Sequence, residues 1–193
     1  ILPDEQKKAM LWDVERGIPD RPRKEYWQTC TCIGDWHYKK SIGSYKSAAT
    51  VVRMLVDVIS KNGNLLLSIP LNADGQYDSR EAAVLDGIEA WMKVNGEGVY
   101  GTRMWDMCFG EGPLAEATNG MTAQGFNEGL NYTSEDVRYV TKDGAIYATI
   151  MAWPAGGAYT MKAFSPLAES YNGNVTSVEL LGYGSVSFTQ GVN

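Results

Sequence analysis

Two β-compatible segments joined by one amphipathic helix place the strongest constraint on the fold of this chain. Apolar residues recur at three- and four-residue spacing through residues 47–61, which is the pattern of a helix with one buried face. Asn62-Gly63 is a typical helix end. Residues 65–69 are almost all apolar, as in a parallel strand covered on both sides, and residues 28–33 alternate polar and apolar types. The order strand, helix, strand predicts a parallel β/α arrangement.

A second helix is predicted over residues 79–94. Asp78 and Glu81 have the spacing of a capping pair, and Gly96 ends the apolar stripe. Residues 1–25 are polar and interrupted by prolines, so we interpret them as a loop region. Polar and aromatic residues crowd the segment 34–44 directly after the first predicted strand, and enzymes built on (β/α)8 barrels place their chemistry at that position.

The second half of the chain has a different pattern of apolar and turn-forming residues. Residues 110–134 are rich in Gly, Ala, Thr and Asn and show almost no periodicity, which predicts a domain boundary. Short strands are predicted beyond it, and Lys142-Asp143-Gly144 is a strong hairpin signal because Asp-Gly accepts positive φ. The predicted strands cover residues 137–141, 145–152, 158–163, 175–181 and 185–189. We therefore assign residues 1–109 to an α/β region, 110–134 to a linker and 135–193 to an all-β antiparallel domain.

Charge and composition exclude several classes of function. The net charge of −6 and the scattered basic residues argue against nucleic-acid binding, which needs a positive face. No apolar run approaches the roughly 20 residues that span a bilayer. Cys30 and Cys32 form an isolated Cys-x-Cys, and the chain has one histidine, so the sequence predicts no metal site.

Several motifs occur in a specific order along the first two thirds of the chain. They are Trp27-Gln-Thr-Cys-Thr-Cys-Ile33, Asp35-Trp-His-Tyr38, Gly63-Asn-Leu-Leu-Leu67, Asn72-Ala-Asp-Gly75, the segment 95–101, and Trp105 followed by Gly110-Glu-Gly-Pro113. In this order the motifs resemble those of the α-L-fucosidases of glycoside hydrolase family 29. Agreement of several motifs over about a hundred residues is far more specific than one short pattern.

The resemblance implies a C-terminal portion of a (β/α)8 barrel followed by an antiparallel β-sandwich. A complete barrel takes about 200 to 250 residues, so we expect this chain of 193 residues to be a fragment. The implied activity is that of a retaining exo-α-L-fucosidase, which removes terminal α-L-fucose from a fucosylated glycan or oligosaccharide by double displacement. Two carboxyl groups suffice for that reaction, so no cofactor is implied. By analogy with family members that trim extracellular glycans, we expect a periplasmic, secreted or lysosomal location.

The resemblance also suggests residue roles. The family's nucleophile is an aspartate in a Trp-x-Asp-type motif on an earlier strand; Trp12-Asp13 does not match it, so we expect the nucleophile to be missing from this chain. The family's acid/base lies ten or more residues before the Trp-x-Thr-Cys block, and Glu15 fits that position, with Glu25 and Asp35 as weaker candidates. A solvated loop glutamate is the alternative interpretation of Glu15.

Aromatic residues are the predicted substrate contacts, because a deoxy sugar presents an apolar patch that an aromatic face covers well. Trp36 is the first candidate, and Tyr38 is either a stacking residue or a structural one. Trp27 is either a second contact or part of the core facing the helices. The alternative function for the whole chain is a non-catalytic carbohydrate-binding or accessory β-sandwich module.

Overall fold

A computed structural model of the chain describes residues 4–7, 9–117 and 126–191, which divide into two compact units. The first unit contains the described residues up to 90 together with 126–131, and the second contains 91–117 and 132–191. The first is built from parallel strands and helices, and the second is mainly antiparallel.

The first unit contains a three-stranded parallel sheet. Its strands are β1 (Trp12–Glu15), β2 (Trp27–Cys32) and β3 (Gly63–Ser68), in the order β1-β2-β3. A short helix α1 (Asp4–Lys7) precedes β1, and α2 (Ala48–Ser60) connects β2 to β3. Helix α3 (Ser79–Asn95) follows β3. The predicted succession of strand, helix, strand and helix is confirmed.

Strand β1 corrects the interpretation of residues 1–25 as a loop. Trp12 and Val14 alternate with Asp13 and Glu15, and the four residues pair in parallel with Trp27–Cys30 of β2. A strand this short has almost no periodicity of its own, and its hydrogen-bonding partner comes fifteen residues later in the chain. Pro19 and Pro22 follow the strand and do not interrupt it.

Trp27 lies in the core of this unit, which corrects its assignment as a substrate contact. Its side chain is 0% exposed, and its Nε1 donates a hydrogen bond of 2.9 Å to the Lys61 carbonyl oxygen. The indole packs in one hydrophobic cluster with residues of β1, α2 and the turn after β1, namely Val14, Ile18, Met54 and Val58. A side chain enclosed in this way presents no face to a sugar.

Helix α2 ends where predicted, but the residue that ends it is Asn62 and not Gly63. The left-handed residue is Asn62, with φ of 66°, and Gly63 already belongs to β3. A Cβ on Gly63 would lie 2.4 Å from the Trp27 indole, so the glycine is required by packing and the asparagine ends the helix. At the start of α2, Ser47 accepts a hydrogen bond from the Thr50 amide.

The second unit is built around one long hairpin. Strands β6 (Val137–Lys142) and β7 (Ala145–Ile150) pair along their full length, and β4 (Arg103–Met104) and β5 (Gly110–Glu111) pair with different parts of β6. The predicted turn is confirmed, since Asp143 and Gly144 have φ of 50° and 82°. Helix α4 (Pro113–Glu116) follows β5, and β8 (Glu179–Leu180) pairs with β9 (Gly184–Ser185). Short 3₁₀ turns cover Gly96–Gly98 and Lys162–Phe164.

The strand predicted over 145–152 is two residues longer than β7, and the last three predicted strands are irregular or much shorter. Residues 158–161 are irregular, and the 3₁₀ turn follows them where the predicted strand should end. The amides of Lys162 and Ala163 donate to the Glu111 carboxylate instead of to a neighbouring strand. Of the segments 175–181 and 185–189, the structure forms only β8 and β9, of two residues each.

The predicted linker, residues 110–134, does not form one connecting segment. Its start contributes β5 and α4 to the second unit, since β5 pairs with β6. Residues 126–131 belong to the first unit. The predicted boundaries 1–109 and 135–193 therefore shift, because local composition does not reveal which sheet a short strand joins. Within the described ranges, no helix has the length and apolar content required to cross a membrane.

Candidate active site

The strands of the first unit place polar side chains on one face of the sheet. Asp13 and Glu15 flank Val14, the buried residue of β1, and the register sets them beside Gln28 and Cys30 of β2. Gln28 Nε2 donates to Asp13 Oδ1 at 2.9 Å, and Cys30 Sγ donates to Asp13 Oδ2 at 3.0 Å. Burial and the neighbouring Asp13 raise the pKa of Cys30 to about 11, so this thiol is protonated at neutral pH.

Glu15 lies at the carboxyl end of β1 with its side chain exposed. Trp36, in the loop that follows β2, donates a hydrogen bond from Nε1 to Glu15 Oε1 at 3.0 Å. The indole N–H can only donate, so it fixes one carboxyl oxygen as an acceptor and leaves the other available for a proton. The structure thus brings together the two residues that the sequence singled out as acid/base and as first substrate contact.

The weaker acid/base candidates lie in less suitable environments. Glu25 is exposed and precedes β2, so it lies at the amino ends of the parallel strands, whereas Glu15 lies at their carboxyl ends. Asp35 forms an ion pair with Lys39 and accepts a hydrogen bond from the Trp36 amide, and these interactions lower its pKa. A carboxylate held in its ionised form is a poor proton donor. The geometry therefore favours Glu15 over both alternatives.

Tyr38 lies in the same loop as Trp36 and is half-buried, while its neighbour His37 is exposed. The loop ends where the Lys46 amide donates to the Ile33 carbonyl oxygen at 2.6 Å, which closes it across the carboxyl end of β2. Tyr38 is thus placed on the correct edge of the sheet for a substrate contact, and its role there stays a prediction.

Glu128 is the charged residue that sequence reasoning missed. Its carboxylate is 8% exposed, and Oε1 accepts from Arg16 Nε and Lys46 Nζ, both at 2.9 Å. Oε2 accepts from Thr31 Oγ1 at 2.5 Å. Burial acts to raise the pKa of Glu128, but the bonds from Thr31, Lys46 and Arg16 outweigh it and lower the pKa below the ordinary value.

No local signal in the sequence points to this cluster. Glu128 lies in a glycine-rich segment without periodicity, and its partners Thr31 and Arg16 are 97 and 112 residues away in the chain. Lys46 also donates to the Cys32 carbonyl oxygen at 2.6 Å. The cluster therefore joins the carboxyl ends of β1 and β2, and it includes Arg16, the residue that follows Glu15 in the chain.

The described residues contain no group of three or more His, Cys, Asp or Glu side chains that could hold a metal ion. They instead place a solvent-accessible, oriented carboxylate at the carboxyl edge of a parallel β/α sheet. That edge is where enzymes built on β/α barrels carry their catalytic side chains.

Comparison with known proteins agrees with an enzyme built on a β/α barrel. Residues 3–97 match the family model described as alpha-L-fucosidase, and residues 131–193 match the model of the alpha-L-fucosidase C-terminal domain. Tissue alpha-L-fucosidase of Rattus norvegicus is 28% identical over 85% of this chain and 31% of its own length. Plasma alpha-L-fucosidase of the same species is 29% identical over 82% of this chain and 30% of its own length.

Solved structures show the same relationship. Alpha-L-fucosidase isoenzyme 1 from Paenibacillus thiaminolyticus aligns with a TM-score of 0.65 at 25% identity, over 92% of this chain and 36% of that protein. The Thermotoga maritima alpha-fucosidase in complex with fucose aligns with a TM-score of 0.53 at 25% identity, over 71% of this chain and 28% of that protein.

The chain belongs to the α-L-fucosidase family of glycoside hydrolases. The fold class implied by its motifs, a C-terminal portion of a (β/α)8 barrel followed by an antiparallel β-sandwich, is confirmed. The chain spans about a third of the length of the curated relatives that it matches.

Proposed function

We propose that this chain forms part of an exo-acting, retaining α-L-fucosidase in which Glu15 is the acid/base. The observation that carries the proposal is the pairing of Glu15 with Trp36 at the carboxyl edge of the parallel sheet. The family membership of the chain supports the hydrolysis of α-L-fucosides, and the position of Glu15 in the fold supports its role.

The proposed reaction needs two carboxyl groups with different tasks. A carboxylate nucleophile attacks the anomeric carbon while Glu15 gives its proton to the glycosidic oxygen, which leaves with the aglycone. Glu15, now ionised, then removes a proton from a water that attacks the fucosyl–enzyme ester and releases fucose. We assign the nucleophile to a carboxylate outside residues 1–193, since no position here matches the family's aspartate motif.

Trp36 has two tasks in this proposal. Its N–H orients Glu15, and its half-buried ring offers an apolar face to the methyl group and adjoining ring atoms of fucose. Tyr38 is proposed as a second contact from the same loop. Related proteins are named tissue and plasma α-L-fucosidases, which supports action on fucosylated glycans in lysosomes or outside the cell.

The test compares leaving groups in the complete natural protein. A poor leaving group such as phenol needs protonation, whereas 2,4-dinitrophenol leaves without it, and kcat/KM reports the steps through bond cleavage. We expect Glu15→Gln to lower kcat/KM for phenyl α-L-fucoside by about 100- to 10,000-fold, and for the dinitrophenyl substrate by less than about tenfold. Glu169→Gln, the same change at an exposed glutamate, is the matched control.

Two outcomes would contradict the proposal in different ways. If the unaltered protein hydrolyses neither substrate, the enzyme assignment fails and a non-catalytic carbohydrate-binding module becomes the better hypothesis. If hydrolysis occurs but Glu15→Gln affects both substrates equally or not at all, the activity stands and the acid/base lies elsewhere.

A further inference from the structure

The turn that follows Glu15 is held by a segment more than a hundred residues later in the chain. The Phe126 and Asn127 amides donate to the carbonyl oxygens of Glu15 and Arg16, at 3.3 and 3.1 Å. The Asn127 side chain accepts from the Ile18 amide at 2.8 Å and donates to the Ile18 carbonyl oxygen at 3.0 Å. The backbone on both sides of Arg16 is thereby fixed from outside the sheet.

Arg16 itself adopts an unusual backbone conformation. Its φ of 51° lies in the left-handed region, which is unfavourable for a residue with a Cβ. Such a conformation persists where surrounding interactions impose it. Here the Arg16 amide donates to the Cys30 carbonyl oxygen at 2.8 Å, and its guanidinium reaches Glu128. The strained residue comes directly after Glu15, so the contacts that fix the backbone at Arg16 also restrain the backbone at Glu15.

Glu128 is connected to both strands that form this edge. Through Arg16 it holds the end of β1, and through Thr31 and Lys46 it holds the end of β2 and the end of the loop that carries Trp36. All of its described contacts are charged or hydroxyl donors, and the carboxylate is almost fully enclosed. Charge-assisted bonds of this kind hold the carboxylate in place as an anion.

We propose that Glu128 is a positioning residue for the fucosidase reaction, which sets the orientation of Glu15 through Arg16 and that of Trp36 through Lys46. The inference rests on the function proposed for Glu15. The proposal adds residues 126–131, which come after α4 in the sequence, to the part of the chain that supports the candidate site. Misplacement of an acid by about 1 Å can lower a rate about a hundredfold, so a positioning role has measurable consequences.

The experiment uses the same pair of substrates in the complete natural protein. We expect Glu128→Gln, which keeps the size of the side chain and removes its charge, to lower the phenyl-to-dinitrophenyl ratio of kcat/KM by about tenfold or more. Loss of active protein would lower both rates by the same factor and leave the ratio unchanged. Glu169→Gln should change neither rate.

A milder variant guards against failure of Glu128→Gln to fold. Thr31→Val removes one hydroxyl donor and leaves Glu128 paired with both cations, and we expect it to lower the same ratio by a smaller factor. A ratio that stays at the unaltered value in either soluble variant overturns the positioning role. If Glu15→Gln lowers the ratio while these variants do not, only the role of Glu128 fails. If Glu15→Gln also leaves it unchanged, the acid/base assignment fails.

Discussion

Each unit contains a glutamate that collects three hydrogen bonds, and the two clusters differ in the nature of the donors. In the second unit, Glu111 accepts from the Tyr139 hydroxyl at 2.6 Å and from the amides of Lys162 and Ala163 at 2.8 and 2.7 Å. In the first unit, Glu128 accepts from a guanidinium, an ammonium and a hydroxyl.

The difference separates a structural carboxylate from one that belongs to the candidate site. Glu111 receives neutral donors and fixes the path of an irregular loop beside the cluster of Trp105, Tyr139 and Phe164, whose ring centroids lie 5.4 to 5.8 Å apart. Glu128 instead binds two cations from the ends of neighbouring strands. Hydrogen bonds between charged groups are stronger and more geometrically specific than neutral ones, and here one of them reaches Arg16, the residue that follows Glu15.

The largest expected effect is a loss of stability, and it tests whether a buried ion pair stabilises the first unit. Lys61 and Asp57 form an ion pair of 2.7 Å, with side chains 2% and 0% exposed. Lys61→Met removes the cation that pairs with the buried Asp57 carboxylate, so we expect a loss of about 3–5 kcal/mol in unfolding free energy, measured by urea denaturation. Lys40→Met at an exposed site is the control, with an expected change within about 0.5 kcal/mol. A loss below about 1 kcal/mol for Lys61→Met would mean that charge pairing matters no more here than in the second unit.

A smaller loss of stability is expected at Glu111, whose three hydrogen-bond donors are neutral. Glu111→Gln replaces one acceptor oxygen by an amide NH₂ that faces a donor, so we expect a loss of about 1–3 kcal/mol in unfolding free energy. The same change at the exposed Glu179 is the control. Unlike Glu128→Gln, Glu111→Gln should leave the leaving-group ratio of the enzyme unchanged. A change in that ratio would remove the distinction between the two glutamates.

The smallest expected effect is on how the unfolding free energy depends on pH. The pKa of Glu128 is lowered in the folded protein, so its stabilising contribution is present above the unfolded pKa of about 4.3 and is lost as pH falls through the folded value. We expect the unaltered protein to lose more unfolding free energy between pH 6 and pH 3 than Glu128→Gln does. Urea denaturation at both pH values measures the difference. Equal losses in the two proteins would contradict the assignment of Glu128 as a buried anion.

Elements that depend on near neighbours were predictable. Ser47 begins α2 as its cap, and the Asp78–Glu81 pair at the start of α3 forms both reciprocal hydrogen bonds, of 2.8 and 2.9 Å. The turn at Asp143-Gly144 also forms as predicted. In each case the stabilising contacts lie within four residues, so the local pattern contains the physical information. The family motifs added the position of Glu15 and the fold class.

Other features depended on partners far away in the chain. Strand β1 exists because β2 pairs with it, and Trp27 belongs to the core because α2 covers it and Gly63 leaves room for its ring. The segment 158–163 reads as a strand by composition, yet its end is bound to Glu111. Pattern and propensity do not specify such contacts, since the same residue types form core, edge or loop according to what packs against them.

The sequence by itself determined α2 and α3, the main hairpin, the family and the choice of Glu15 and Trp36 as candidates, because short-range periodicity and ordered motifs carry that information. Tertiary structure alone decided that Trp36 bonds Glu15, that Trp27 is enclosed, and that Glu128 joins Arg16, Thr31 and Lys46. The physical reason is that each of these contacts joins residues far apart in the chain, which only folding brings together, and that a buried charge such as Glu128 requires several partners at once.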